Sequence, residues 1–345
     1  MPRTAVPAAA AAAATAVAVR AFSASHSARA PKIDVALIAK LRKDTQCTIS
    51  KAKEALLAVT QPGMAAADVH AAAVEWLLKD IAESGAKKAA KVSDRVTAEG
   101  LVAVFADPAA AAAAMVEINS ETDFVAKSDL FSDLAARVCR AVAEAPADRA
   151  RPPAPLAVVE PEEILESPFA WPAGDAATVR AAFTETIGKL GENIRLRRAI
   201  VARADAPAVL GVYAHAGGES RPAGLGRFGC VVVLAADAPL SPDHRPAVAA
   251  MARKVAQHAT GFAPKAIHPR LAASAEDPLA VAPEEALLHQ DFLFGGGSVA
   301  DALAAFSAQI GVNVAVTDFV RFACGEGIEK KKENFAEEVM KQAGM

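Results

Sequence analysis

Met115-Val116-Glu117-Ile118-Asn119-Ser120-Glu121-Thr122-Asp123-Phe124-Val125-Ala126-Lys127 is the stretch on which the fold turns. Its first four residues read as an apolar strand. After Lys127, Leu130, Leu134, Val138 and Val142 recur at i+4, the period of a helix packed on one face. An acid and a bare phenyl ring therefore meet at a strand-to-helix corner, where side chains can project outward. In the plainer reading Thr122 or Asp123 caps the helix and Phe124 plugs the core. Thr-Asp-Phe-Val also recurs at 317–320, leading into Phe319-Val320-Arg321-Phe322-Ala323-Cys324. That second copy alternates like a strand, with Val320, Phe322 and Cys324 on one face.

Outward from the corner, residues 98–143 run strand (101–105), turn (the alanine run), strand (115–118), helix. The same order returns between 208 and 260, with strands at 209–213 and 230–234 and a helix striped by Val248, Met251, Ala252 and Val255. This predicts an α+β core built from an internal duplication, two small antiparallel sheets each covered by helices. Between the copies, residues 146–172 hold seven prolines and no sustained period, the composition of a loop with extended segments. Val179, Phe183 and Ile187 place the segment from 179 to 198 on an amphipathic helix.

N-terminal to the core, Ile33, Leu37, Ile38 and Leu41 make one apolar stripe. Ile49, Ala52, Leu56 and Leu57 make a second, with Thr48 as N-cap. After the break at Gln61-Pro62-Gly63, a third helix carries Val69, Ala73, Trp76, Leu77 and Ile81 and is expected to end before Gly85. Trp76 reads as a core residue, and Lys87, Lys88, Lys91 and Arg95 as a solvated basic connector.

Residues 1–33 contain Arg3, Arg20, Arg29 and Lys32, several serines and no acid, the composition of a mitochondrial transit peptide. A secretory signal would place its charge before the apolar run, whereas most of it lies after. The whole chain carries −3 and this segment +4, so residues 34–345 are about −7. An acidic mature chain with 5% aromatics is poorly suited to stable nucleic-acid binding, and a protein partner fits better. Cys47, Cys139, Cys230 and Cys324 are far apart without a Cys-x-x-Cys, as expected of reduced thiols. The histidines have no metal-ligand spacing, and no membrane span is expected.

Gly224-Leu225-Gly226-Arg227-Phe228-Gly229 spells Gly-x-Gly-x-x-Gly, but the residues after it read as a strand. A phosphate cradle needs a helix there, so a hairpin turn is expected and no nucleotide binding. Asp237, Asp243 and His244 lie among Pro239, Pro242 and Pro246, which reads as a loop without a nucleophile. No catalytic constellation emerges.

The segment 118–127 resembles the signature of the translation elongation factor Ts family. Leu190-Gly191-Glu192-Asn193-Ile194 with Arg197-Arg198, and 321–330 with its Gly325-Glu326-Gly327 turn, resemble two further family segments in the same order. The resemblance covers 33–143, 187–267 and 290–330, and the whole is similar to mitochondrial members. Where bacterial members carry a long helical hairpin, this chain has only 269–297, broken by Pro278, Pro283 and three consecutive glycines. The N-terminal helices resemble the family's ubiquitin-associated domain, except that Gln46 stands where a glycine is usual.

The resemblance implies a mitochondrial matrix guanine-nucleotide exchange factor acting one to one on elongation factor Tu, without cofactor, metal or chemical step of its own. It implies Thr122, Asp123, Phe124 and Val125 as the partner-binding corner, with Phe124 wedging beside the partner's magnesium-binding segment. Residue matching adds Arg42, Ile49 and His215, the last of which reads equally as a structural histidine. The implied organisation is a transit peptide (1–32), a helical domain (33–92), a first α+β subdomain (93–200) with its Pro-rich insertion, and a second (201–345) ending in a charged helix at 331–343. An adaptor using the ubiquitin-associated bundle without exchange activity is the alternative, but it leaves the duplicated sheets without a role. An enzyme on the core is a further possibility for which no site is visible.

Overall fold

The computed structural model describes residues 34–45, 47–107, 111–145, 155–171, 177–218, 221–270 and 279–329. The transit peptide and the charged helix expected at 331–343 lie outside these residues.

Helices α1 (Val35–Thr45), α2 (Ile49–Val59) and α3 (Ala66–Val92) form the N-terminal part. Thr48 caps α2, its hydroxyl accepting the Lys51 amide at 3.3 Å. Leu41, Ala52, Leu56, Val69, Ala73 and Leu77 close a small core, with Trp76 half-buried at its edge under the Lys51 ammonium. α3 does not stop before Gly85 but runs on to Val92, taking in Lys87, Lys88 and Lys91. A glycine inside a helix costs only about 1 kcal/mol, and this one is buried against Thr184, where packing offsets the loss. Lys88 and Lys51 both reach the Asp80 carboxylate, at 3.4 and 2.9 Å, so the basic run is partly ion-paired.

The chain continues through β1 (Glu99–Asp107), β2 (Ala112–Ser120), α4 (Asp123–Ala126), α5 (Asp129–Glu144), β3 (Leu156–Val159), α6 (Pro161–Leu165), α7 (Val179–Leu190) and β4 (Ile194–Arg203). It then forms β5 (Val209–His215), β6 (Leu225–Gly226), β7 (Phe228–Ala236), α8 (His244–Phe262), α9 (Val299–Ile310) and β8 (Val314–Ala323). The strands make two antiparallel sheets, ordered β3-β4-β2-β1-β6 and β5-β7-β8. The order strand, strand, helix occurs in both halves, as β1-β2-α5 and β5-β7-α8. The fold is thus α+β with two small antiparallel sheets.

Helices cover only one face of each sheet, because the other two faces cover each other. Ala114, Val116 and Ile118 of β2 pack toward α5 and α7, while Ala113 and Met115 pack with Val102, Val104, Val231 and Phe322 between the sheets. In the second sheet Cys230, Val232 and Leu234 face Val248, Ala252 and Val255 of α8. Alternation with period 2 thus fills both faces of each central strand. All nine residues of β2 are buried, which explains why half of the alanine run is strand rather than turn. Between two packed sheets, small side chains fit where larger ones would overpack.

Four further elements differ from expectation. β4 was hidden in a segment read as helix, β3 and α6 lie within the Pro-rich insertion, and α8 opens at His244 with Pro246 in its first turn, where a missing N–H costs nothing. In the described part of 269–297 the only helical turns are the 3-10 turns Pro283–Glu285 and Leu287–His289. Buried His258 anchors this loop to α8. The Leu293 amide donates to its Nδ1 at 3.3 Å, which leaves Nε2 to donate to Gln290 Oε1 at 3.0 Å. Burial lowers its pKa and keeps the ring neutral.

Candidate functional site: the Asp123–Phe124 corner

Thr122 is the N-cap of α4, its hydroxyl accepting the Val125 amide at 3.4 Å. Val125 and Ala126 turn into the core beneath α5, so the helical turn carries the residue before them outward. Phe124 is accordingly 82% exposed. The plainer reading, a ring plugging the core, is thereby overturned. Val125, named with the partner-binding corner, lies in that core as an anchor of the turn. Asp123 is exposed, and the Lys127 ammonium at 2.7 Å holds its carboxyl below the usual range. α4 ends after one turn, and Ser128 caps α5 as a separate helix.

The corner is held by the second resembling segment. Gly191 ends α7 in the left-handed conformation, φ 78°, and swings the chain so that Glu192 faces Thr122. The Glu192 carboxylate accepts from Thr122 Oγ1 at 2.6 Å and from the Thr122 amide at 3.0 Å. In return the Glu121 carboxylate accepts the Asn193 amide at 2.6 Å, and Asn193 Nδ2 donates to the carbonyls of Ser93 and Arg95. Placing this segment on a helix was therefore wrong: it is a helix end, a corner and the start of β4.

The third segment joins through Glu117, fully buried on β2. A bulge opposite Glu117–Ile118 leaves Arg197 as the extra residue of β4, so two consecutive arginines reach one carboxylate. Arg197 Nη1 lies 3.0 Å and Arg198 Nε 2.6 Å from it, and the Gly325 amide donates at 2.8 Å. Burial alone would raise the Glu117 carboxyl, but the Gly325 amide and the two guanidinium groups outweigh it and hold its pKa below the ordinary glutamate value. Gly325 is required there: its φ is 76° and a Cβ would collide with the Ala98 carbonyl. Sequence reading missed both Glu117 and Glu192. The signal for the first was an acid inside an otherwise apolar strand.

The second Thr-Asp-Phe-Val lies in β8. Phe319 packs partly buried toward the α8 side, while burial raises the pKa of half-buried Asp318. One tetrapeptide thus takes two settings, and only the first presents its ring. His215, exposed at the end of β5, lines a different groove with Tyr213, Phe228, Gln257 and Arg321, whereas the next residues Ala216 and Gly217 line a groove with Asp123, Lys127 and Arg221, whose Nη1 donates to the Ala126 carbonyl at 2.9 Å. Its ring stacks on Tyr213, which leaves the structural reading of this histidine open. Arg42 and Ile49 are exposed on the separate helical bundle, where Arg42 Nε donates to the Cys47 carbonyl at 3.3 Å.

The glycine-rich spelling is a packing device. Gly224 lies in the turn before β6, while Gly226 and Gly229 fall in β6 and β7, where a Cβ on Gly226 would collide with the His215 backbone and one on Gly229 would meet Val102 Cγ1 at 2.6 Å. No helix N-terminus follows it, so calorimetric titration with GDP or GTP is expected to show no saturable binding at micromolar concentration. Saturable heat would overturn that. Asp237, far from being an acid-base group, accepts both the backbone amide and the side-chain amide of Asn313. All four cysteines are free. Burial pushes the Cys139 and Cys230 thiols far up, and burial with the nearby Glu117 charge pushes Cys324 up to about 12. Thiols held protonated in this way are weak nucleophiles.

A family model described as "Elongation factor TS" matches residues 121–275. The chain is 33% identical to "Elongation factor Ts, mitochondrial" of Coprinopsis cinerea, over 88% of this chain and 95% of that protein. It is 31% identical to the protein of the same name in Heterostelium pallidum, over 89% and 83% of the two chains. It is 30% identical to "Elongation factor Ts" of Rhodopseudomonas palustris, over 90% and 98%. With three converging motif segments and relatives of this kind spanning most of its length, the chain belongs to the elongation factor Ts family.

Proposed function

We propose that this chain is a guanine-nucleotide exchange factor of the mitochondrial matrix that binds elongation factor Tu one to one and promotes release of its GDP. The observation that carries the reading is Phe124, an exposed phenyl ring on a turn anchored from below by Val125 and from the side by Glu192. A GTPase grips GDP through its phosphate loop and a bridging magnesium ion, and for a nanomolar complex that grip is about −12 kcal/mol. The factor has no need to touch GDP. It binds the partner conformation in which the grip is loosened, and linkage makes the antagonism mutual.

In this reading Phe124 enters the partner beside the magnesium-binding segment, and Asp123 holds the groups it displaces. Burying the ring offers roughly 1.5–3 kcal/mol, far less than the grip, so the remainder comes from a broad interface including Thr122, Arg42, Ile49 and His215. No covalent bond is made or broken, so the activity is exchange rather than enzymatic chemistry. The bundle is of the ubiquitin-associated type at 33–92, and 93–200 and 201–345 are copies of one duplicated unit. Residues 1–32 address the chain to the organelle and are removed.

The deciding experiment follows release of fluorescent GDP from mitochondrial elongation factor Tu with and without this protein. Saturable acceleration is expected. Unchanged release at concentrations where the two proteins are shown to associate would refute the reading.

A further inference from the structure

We propose that Glu192 is a positioning residue for nucleotide exchange, acting on the partner only through the Asp123–Phe124 turn. The inference rests on the exchange-factor reading and goes beyond it, because Glu192 touches neither the ring nor Asp123. α4 is four residues long. A single turn is not self-supporting, since nucleation fixes several dihedrals for one hydrogen bond. Something outside the turn has to hold it in the presenting conformation.

Glu192 supplies that hold by geometry. Both of its oxygens are committed to Thr122, one to the hydroxyl at 2.6 Å and one to the amide at 3.0 Å. This two-point contact fixes the backbone of Thr122 at φ −121°, ψ 157°, the extended cap conformation from which the turn springs. It also aims the hydroxyl proton at Glu192, leaving an oxygen lone pair for the Val125 amide. Glu192 is itself set by Gly191 behind it and by Asn193 ahead, whose amide returns to Glu121. The two loops thus clasp reciprocally, glutamate to the other strand's residue in each direction. A ring held in its docking pose loses less freedom on binding than one on a fraying turn, which is the general gain of preorganisation.

The test measures GDP release from elongation factor Tu as a function of factor concentration, which separates the maximal rate from the half-saturating concentration. Glu192→Ala is expected to lower the maximal rate about tenfold with its melting temperature near wild type. Glu192→Gln keeps an oxygen for the Thr122 amide and offers an N–H to the hydroxyl oxygen, and it should recover to within about threefold. Added to Phe124→Ala, Glu192→Ala should slow release by no more than about twofold further, because residues acting through one group are not additive.

A Glu192→Ala protein exchanging at the wild-type rate would overturn the proposal. So would a double variant in which the two defects multiply, or a Gln variant as slow as Ala. If Glu192→Ala fails to fold, Glu192→Asp carries the same test by drawing the carboxylate back from Thr122 by one methylene, with the same slowing expected and a wild-type rate overturning the proposal. A Phe124→Ala protein that exchanges normally sinks the presented-ring reading instead, so the two failures are distinct.

Discussion

Replacing Phe124 by alanine leaves the protein folded and slows GDP release from elongation factor Tu by at least about tenfold, a loss of roughly 1.4 kcal/mol of transition-state stabilisation. The folding half of this expectation follows from exposure: with 82% of the residue in solvent, truncation opens no cavity. The functional half follows from the energy of burying a phenyl ring in a partner, roughly 1.5–3 kcal/mol, which more than covers a tenfold effect. The second copy of the tetrapeptide supplies the control. Phe319 lies partly buried on β8, so Phe319→Ala should cost about 1–3 kcal/mol of stability, below the value for a fully buried ring, and lower the melting temperature. Exchange by the folded fraction should stay near wild type. Stopped-flow release and thermal melts on both variants decide the matter. If Phe319→Ala abolishes exchange in a stable protein while Phe124→Ala does not, the functional copy is the other one.

Much of the architecture was legible because periodicity survives where one face is buried. Leu130, Leu134, Val138 and Val142 gave α5, and the paired strands of both halves stood out as apolar runs. The failures share a cause, which is local chemistry overridden by packing. Gly85 stops an isolated helix but is tolerated where α3 lies against α7. Half of the alanine run became strand because β2 is buried on both faces, against the second sheet at Ala113 and against the helices at Ala114, where small side chains fit. β4 was hidden by Arg195, Arg197, Arg198 and Arg203, four charges that no sequence period assigns to a strand. A bulge and a buried acid make them compatible with one, and neither is visible without the pairing register.

The site was legible in its residues and not in its presentation. Thr122, Asp123 and Phe124 were singled out, yet exposure of the ring depends on Val125 and Ala126 winning the core positions, a contest that spacing alone does not decide. Glu192 and Glu117 were passed over because their partners lie 70 to 208 residues away in sequence, at Thr122 and Gly325. The order of the three resembling segments was readable, but their convergence on one corner was not.

Glu117→Ala is expected to destabilise the protein by about 2–4 kcal/mol, the largest single effect on folding among these variants. Removing one partner of a buried ion pair typically costs roughly 3–5 kcal/mol, because the remaining charge is left without compensation. Here Arg197 and Arg198 each keep 28% of their side-chain surface in water, which softens the loss. The Gly325 amide and Asn119 Nδ2 also lose their acceptor, and the first of these fixes the turn after β8. Glu117→Gln keeps the volume and one acceptor oxygen but turns an N–H toward the guanidinium groups, so it should fall between wild type and alanine. The pH dependence separates charge from shape. The carboxyl of Glu117 titrates below its unfolded value of about 4.3, so its contribution is fully present above that pH and is lost as pH falls through the folded pKa. The wild type should therefore lose stability toward acid more steeply than Glu117→Gln, and the two denaturation curves should converge only once the pH has fallen below the folded pKa of Glu117. Urea titrations of both proteins at neutral pH and across the acid limb provide the measurement. Parallel curves over the whole range would mean that the carboxylate charge contributes nothing and that the joint between β2, β4 and the Gly325 turn is held by packing alone.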